Sequence, residues 1–225
     1  MVAIDYLSPL PPTRTGIADY SADLLPWLAG RADVRVVALP GQELDEAVAA
    51  RWSPIPWAAW LAEAERAAAA GGPARLPLYQ MGNNHHHAAV WKAALRVPGA
   101  LVLHDLVLHH FHLGRTVGKG DFAPYREQLA ADHGWVGERV AAPVRWGAFG
   151  NAGQFALPAR RTLVERQRGV LVHSRWAAAE LREEDARWRV EVIPMPVPLP
   201  PPADRAAGRE LRRRLGIPDA AAVLG

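Results

Sequence analysis

Nine histidines occur in this 225-residue chain, and all but His133 and His173 fall between Leu78 and Leu113. That stretch runs LYQMGNNHHH, AAVWKAALRVPG, ALVLHDLVLHHFHLG. An imidazole can ligate a metal, carry a proton, or hydrogen-bond a hydroxyl or a phosphate. The metal option meets obstacles. His85, His86 and His87 are contiguous, so a regular element cannot aim all three at one centre. His109 and His112 share a helix face, but no HExxH spacing occurs and no cysteine is present to supply a thiolate. No metal is expected, and a metal-dependent hydrolase built on the histidine cluster remains the weaker alternative.

The other options depend on where each residue sits. His104 and Asp105 follow the apolar run ALVL. A carboxylate beside an imidazole can hold it in one tautomer while the ring contacts a substrate hydroxyl or phosphate. The bland alternative is a helix-capping Asp105 next to an incidental histidine; the strand-end position favours function. Asn83 and Asn84 follow LPLYQMG, and their amides match hydroxyl-rich ligands, although asparagine also suits turns and caps. Arg14 and Gly16 close the loop after the first strand. Gly16 lets a ligand approach the backbone, the start of the next helix suits an anion, and Arg14 adds charge. The same residues are equally consistent with an ordinary strand–helix turn. Ser174 precedes a helix and reads as a cap. Neither a G-x-S-x-G elbow nor a G-x-G-x-x-G fingerprint is present.

These positions depend on alternating strands and helices. Short apolar runs at 2–7, 34–39, 76–81, 100–103, 169–172 and 189–193 read as strands. Helical spacing marks 17–29, 43–52, 57–70, 86–95 and 106–113, then 122–133, 135–146 and 158–168 without intervening strands, and a further helix after Ser174. The alternation implies an α/β fold: a Rossmann-like, mostly parallel sheet with helices on both faces, plus a helical segment around 121–168. Right-handed crossovers would gather the loops 8–16, 82–87, 104–105 and 173–174 at one edge. Trp135, Trp146 and Phe149 in the helical segment are stacking candidates, but core packing is the role the pattern favours for them. Proline at 195–204 reads as a stiff linker. A basic helix follows at 205–215 and a strand begins at 220–225. The expected organisation is a domain over 1–194, a linker over 195–204, and at 205–225 the start of a second, truncated domain.

Composition narrows the class. Half the residues are hydrophobic, enough for a core, yet charges or prolines interrupt every apolar run before membrane-spanning length. The net charge is only +3, and the arginines are dispersed among acids. No basic stripe with interleaved aromatics appears, so nucleic acid is not an expected partner. Tryptophan and arginine together are compatible with a peripheral membrane contact, without marking a segment for it. The chain opens on the strand-like VAIDYL with no basic leader, and it has no cysteine; a cytoplasmic protein is the default expectation.

Several segments resemble one family. SPLPPTRTGIADYSADLLPWLA at 8–29 is similar to the opening of bacterial family 4 glycosyltransferases, whose GT-B architecture joins two Rossmann-like domains. YQMGNNHHHAAVWKAALRVPGALVLHDLVLHH at 79–110 resembles the same group's YQxGN strand end, helix, PG turn and strand ending in HD. GVLVHSRWAAAEL at 169–181 and VEVIPMPVP at 190–198 resemble its last strands before the linker. LRRRLGIPDAAAVLG resembles its lead-in to the second domain. The resemblance covers nearly the whole chain. It departs at the linker, where Ile193-Pro194-Met195-Pro196-Val197 replaces the usual IPNGVD.

The resemblance implies metal-free, retaining transfer of a sugar from a nucleotide diphosphate-sugar to an acceptor such as a polysaccharide or glycolipid precursor, at the cytoplasmic face of the membrane. It implies no cofactor beyond the donor substrate. Gly16 would lie near the donor phosphates, and His104 would contact the transferred sugar. Asp105, Asn83, Asn84, His87 and His109 would shape that pocket or orient His104. The nucleotide-binding residues and paired glutamates would belong to a C-terminal domain beyond Gly225. The 225 residues alone are therefore expected to be inactive. A non-catalytic carbohydrate- or nucleotide-binding module is the alternative.

Overall fold

The computed structural model describes residues 1–72, 75–148, 150–196, 204–218 and 220–223, with the backbone alone at 151. Seven strands form one sheet in the order β3-β2-β1-β4-β5-β6-β7, and every pairing is parallel. They are β1 Ala3–Leu7, β2 Asp33–Ala38, β3 Ile55–Pro56, β4 Leu76–Met81, β5 Ala100–Leu103, β6 Gly169–Val172 and β7 Val190–Val192. Helices α1 Gly16–Ala29, α2 Glu46–Trp52, α3 Trp57–Ala69, α4 Ala88–Arg96 and α9 Arg175–Glu184 make the crossovers. Between β5 and β6 lie α5 His109–Arg115, α6 Ala123–Arg145, α7 Gly150–Ala156 and α8 Arg161–Val164. The expected Rossmann-like α/β fold is what the chain forms.

Strand alternation divides the core into two layers. Ile4, Tyr6, Leu78, Val102 and Leu171 pack against Leu24, Leu25 and Leu28 of α1 and Val48 and Trp52 of α2. Leu7, Tyr79, Met81, Leu101, Leu103, Val170 and Val172 pack against α3, α4, α8 and α9 on the opposite face. A third cluster, around Tyr125, Leu129, Ala141, Val144 and Leu157, holds the helical segment together. There α6 breaks at Gly134 (φ 60°), as the pattern predicts.

One polar group interrupts the second layer. Asp5, in the middle of β1, is buried, and its carboxylate is filled from all sides. Oδ1 accepts from Arg35 Nε at 2.8 Å and Arg75 Nε at 2.9 Å; Oδ2 accepts from Arg35 Nη2 at 3.0 Å and Trp60 Nε1 at 2.9 Å.

Several local expectations need correction. Ile55–Pro56 is a two-residue edge strand beside Val37 and Ala38, unpredicted because proline weakens any strand signal. The stretch 147–153, read as a break, contains most of α7, and the helix expected over 158–168 shrinks to Arg161–Val164. Trp135 and Trp146 are not core residues; they are 75% and 76% exposed. Phe149 and residues 197–203 of the linker lie outside the described residues.

The chain divides into two compact units, Met1–Met195 and Pro196–Gly225. The second contains α10, Arg205–Arg214, capped by Asp204 through the N–H groups of Ala206 and Ala207. Residues 220–223, expected to begin a strand, do not form one. Among the described residues no helix is long and apolar enough to cross a membrane.

Candidate functional site

β1 pairs with β2 on one side and β4 on the other, so the crossovers on its two flanks run in opposite directions. Such a switch point leaves a crevice beyond the carboxyl ends of the strands. Here a groove of about 410 Å³ opens between Pro9, Pro12 and Thr13 after β1, residues 39–43 after β2, and His85, His86, Ala88 and Ala89 after β4. The rings of His85 and His86, 4.0 Å apart between centroids and tilted by 38°, form part of its wall. Arg14 and Gly16 line a shallower recess over the same loop, with Asp19. The loop is anchored at α1, where Thr15 Oγ1 accepts from Ala18 N–H at 3.1 Å.

A second cluster lies across β4, β5 and β6. Gln80 pairs in register with Val102, and Val102 with Leu171. Two residues further along β5 and β6, His104 and His173 therefore share the α1-facing side with Gln80. Their rings are 5.0 Å apart, and Tyr20 of α1 stands edge-on to both, at 4.8 Å from His104 and 5.6 Å from His173. His104 Nε2 lies 2.9 Å from Gln80 Oε1. His87 reaches the same residue from the other end, its Nδ1 2.9 Å from the Gln80 carbonyl oxygen. A carbonyl can only accept, so His87 carries its hydrogen on Nδ1. By the same logic His173, with Nδ1 3.3 Å from the Ile193 carbonyl, also keeps a lone pair on Nε2.

Burial sets the electrostatics. It pushes His104 down to about 3, with His173 and His87 adding to the effect, and His87 down to about 4 against a smaller opposing pull from its hydrogen bond to Gln80. His173 is lowered for the same reason. Near neutral pH these rings are uncharged hydrogen-bonding groups. Three buried polar atoms here have no partner: Gln80 Nε2, His87 Nε2 and His173 Nε2. Buried polar atoms are normally paired, so each of the three is open to a further hydrogen-bonding partner.

The residues singled out from sequence separate into groups. Asp105 does not touch His104. It is exposed, and its Oδ2 accepts from Asn83 N–H at 2.9 Å, while Asn83 Oδ1 accepts from Phe111 N–H at 2.8 Å. This pair ties the β4 and β5 loops together. Asn84 caps the 3-10 turn His85–His87 by accepting from His86 N–H. His87 belongs to the His104 cluster. His109 does not: it is buried with both nitrogens used, Nδ1 at 2.7 Å from the Leu157 carbonyl and Nε2 at 2.7 Å from Tyr125 OH. It fastens α5 to α6. His112 is likewise buried, between Ala159 and Arg115. Ser174 is the helix cap expected, accepting from Ala177 N–H.

Sequence reasoning missed Gln80, Tyr20 and the role of His173. The available signal was a single glutamine inside an otherwise apolar strand, two residues before the loop. Gly82 also has a packing reason: a Cβ there would collide with Ile17 and lie 2.8 Å from His87 Nε2. Among the described residues no three His, Asp or Glu side chains are grouped to hold a metal ion.

Comparison with known proteins adds no assignment. No family model matches the chain, and neither a curated protein nor a solved structure matches it.

Proposed function

We propose that this chain is the acceptor-side domain of a retaining glycosyltransferase that uses a nucleotide diphosphate-sugar. The observation that carries the reading is the cluster of neutral imidazoles and unpartnered polar atoms around His104 at a switch-point edge. Neutral nitrogens that both donate and accept suit sugar hydroxyls, whereas a protonated cluster would select anions. In this reading the transferred sugar lies against His104, with Tyr20 and His173 beside it. The groove walled by His85, His86 and the β1 and β2 loops takes the acceptor, a polysaccharide or glycolipid precursor. The recess at Arg14 and Gly16, above the start of α1, faces the donor phosphates. The His87–Gln80 contact and the Asn83–Asp105 link brace the walls. The nucleotide is assigned to a second domain beyond Gly225, and contact with the cytoplasmic face of a membrane belongs to the same proposal.

The experiment is a donor screen on the product of the reading frame extended past Gly225, with release of nucleoside diphosphate as the readout. Transfer is expected from the extended protein and none from the 225 residues alone. His104→Ala should lower kcat/KM by about a hundredfold or more, the scale for losing a group that stabilises the transition state. Transfer at the wild-type rate by His104→Ala would overturn the assignment of His104. Transfer by the 225-residue chain itself would overturn the division of labour.

A further inference from the structure

We propose that Gln80 is a positioning residue that holds His104 in the tautomer with its hydrogen on Nε2, leaving Nδ1 as the acceptor. The side chain of Gln80 is fully buried, and its Oε1 lies 2.9 Å from His104 Nε2. The amide could in principle be turned over, so that it donates to the ring. The neighbouring atoms argue against this. His87 Nε2 and His173 Nε2 are both unpartnered lone pairs, and Gln80 Nε2 is an unpartnered donor. With Oε1 on His104, the three open buried atoms of the cluster are one donor and two acceptors. Turned over, the amide would make all three of them acceptors. Gln80, Tyr20 and His173 lie against the His104 ring, and none of these is a carboxylate. Asp105 does not replace Gln80, because its carboxylate is turned to Asn83 N–H.

A neutral acceptor at this position fixes the tautomer without charging the ring, which a glutamate would do. The consequence for catalysis rests on the proposed function: a lone pair on Nδ1 accepts a hydrogen bond from a sugar hydroxyl. The tautomer itself does not depend on that reading.

Long-range 15N–1H correlation spectra of the 225-residue chain test it. Wild-type His104 should show a pyrrole-type Nε2 and a pyridine-type Nδ1. Gln80→Leu should collapse this to averaged shifts, with the remaining histidine signals outside the cluster unmoved. Gln80→Glu should retain the Nε2–H form and move protonation of His104 to higher pH. Hydrogen on Nδ1 in the wild type would overturn the proposal, as would an unchanged His104 pattern in folded Gln80→Leu. Should Gln80→Leu not fold, the wild-type spectrum and Gln80→Glu decide, and loss of the Nε2–H form in Gln80→Glu counts against. Absence of sugar transfer from the extended protein would overturn the reaction while leaving the tautomer result standing.

Discussion

Two polar clusters sit in this sheet, and they are built on opposite plans. Around Asp5 every carboxylate oxygen is answered, by two guanidiniums and an indole N–H. Around His104 three buried atoms on three different side chains are left open. Both clusters lie against the same sheet, so burial alone does not separate them. What separates them is closure. A buried charge is tolerated only when its partners are complete, and a closed cluster has nothing left to offer a ligand. The open cluster gives up stability, since each unmade buried hydrogen bond costs about 1–3 kcal/mol, and keeps hydrogen-bonding capacity that the closed one has spent.

The contrast can be broken most directly by substitution in each cluster. Asp5→Ala leaves the buried Trp60 indole N–H without its acceptor and takes one of two carboxylate partners from each arginine, Arg35 keeping Glu63 and Arg75 keeping Asp33; it should lower unfolding free energy by about 1–3 kcal/mol for each group left unpaired. His104→Ala removes one hydrogen bond from a cluster already incomplete and should cost about 1 kcal/mol. Urea denaturation of the two variants measures both; equal losses would erase the distinction between closed and open. Acid provides a second lever. His87, His104 and His112 are held neutral by burial, at about 4, about 3 and about 3, against 6.5 in the unfolded chain. Above pH 6.5 both states are neutral and the groups have no effect. Below it the unfolded chain takes up protons that the folded chain refuses, so stability falls from pH 6.5 toward 4. Each histidine contributes about 1.4 kcal/mol per pH unit. A urea midpoint that stays flat between pH 7 and 5 would contradict the buried, neutral state. The smallest effect sharpens the role of α1, which carries Tyr20 over the open cluster. Thr15→Ala removes its cap and should cost about 1 kcal/mol in thermal unfolding, with the ring-current shift of His104 reporting any displacement of Tyr20.

Six strands were legible because each is a short, largely apolar run between turn signals, with β-branched residues in all but Leu76–Met81. Ile55–Pro56 was not, since two residues carry no periodicity and one is proline. Helix α7 was hidden by the two glycines in GNAGQFA. At the site, strand-end position pointed to His104, and the structure brings His87 to the same glutamine. Sequence reasoning misplaced His109, because nothing local shows that its ring turns to Tyr125 on another helix. It also paired His104 with its chain neighbour Asp105. Adjacent residues at a strand end point apart, and the true partner came from the adjacent strand, through a register that only tertiary structure supplies. The tryptophans failed for a related reason: helical spacing gives a face its phase, but not which face meets the core.

The order of the strands also bears on how the molecule assembles. Ile4 of β1 lies opposite Leu76 of β4, and between them in the chain come two other strands and three helices. Parallel pairing at such separation carries a large loop-closure cost and is slow. The groove and the His104 cluster adjoin this seam, with residues from both sides of it. A nascent or partly unfolded chain can therefore hold much of its secondary structure and still have no site, and recovery of the site during refolding reports closure of the seam between β1 and β4.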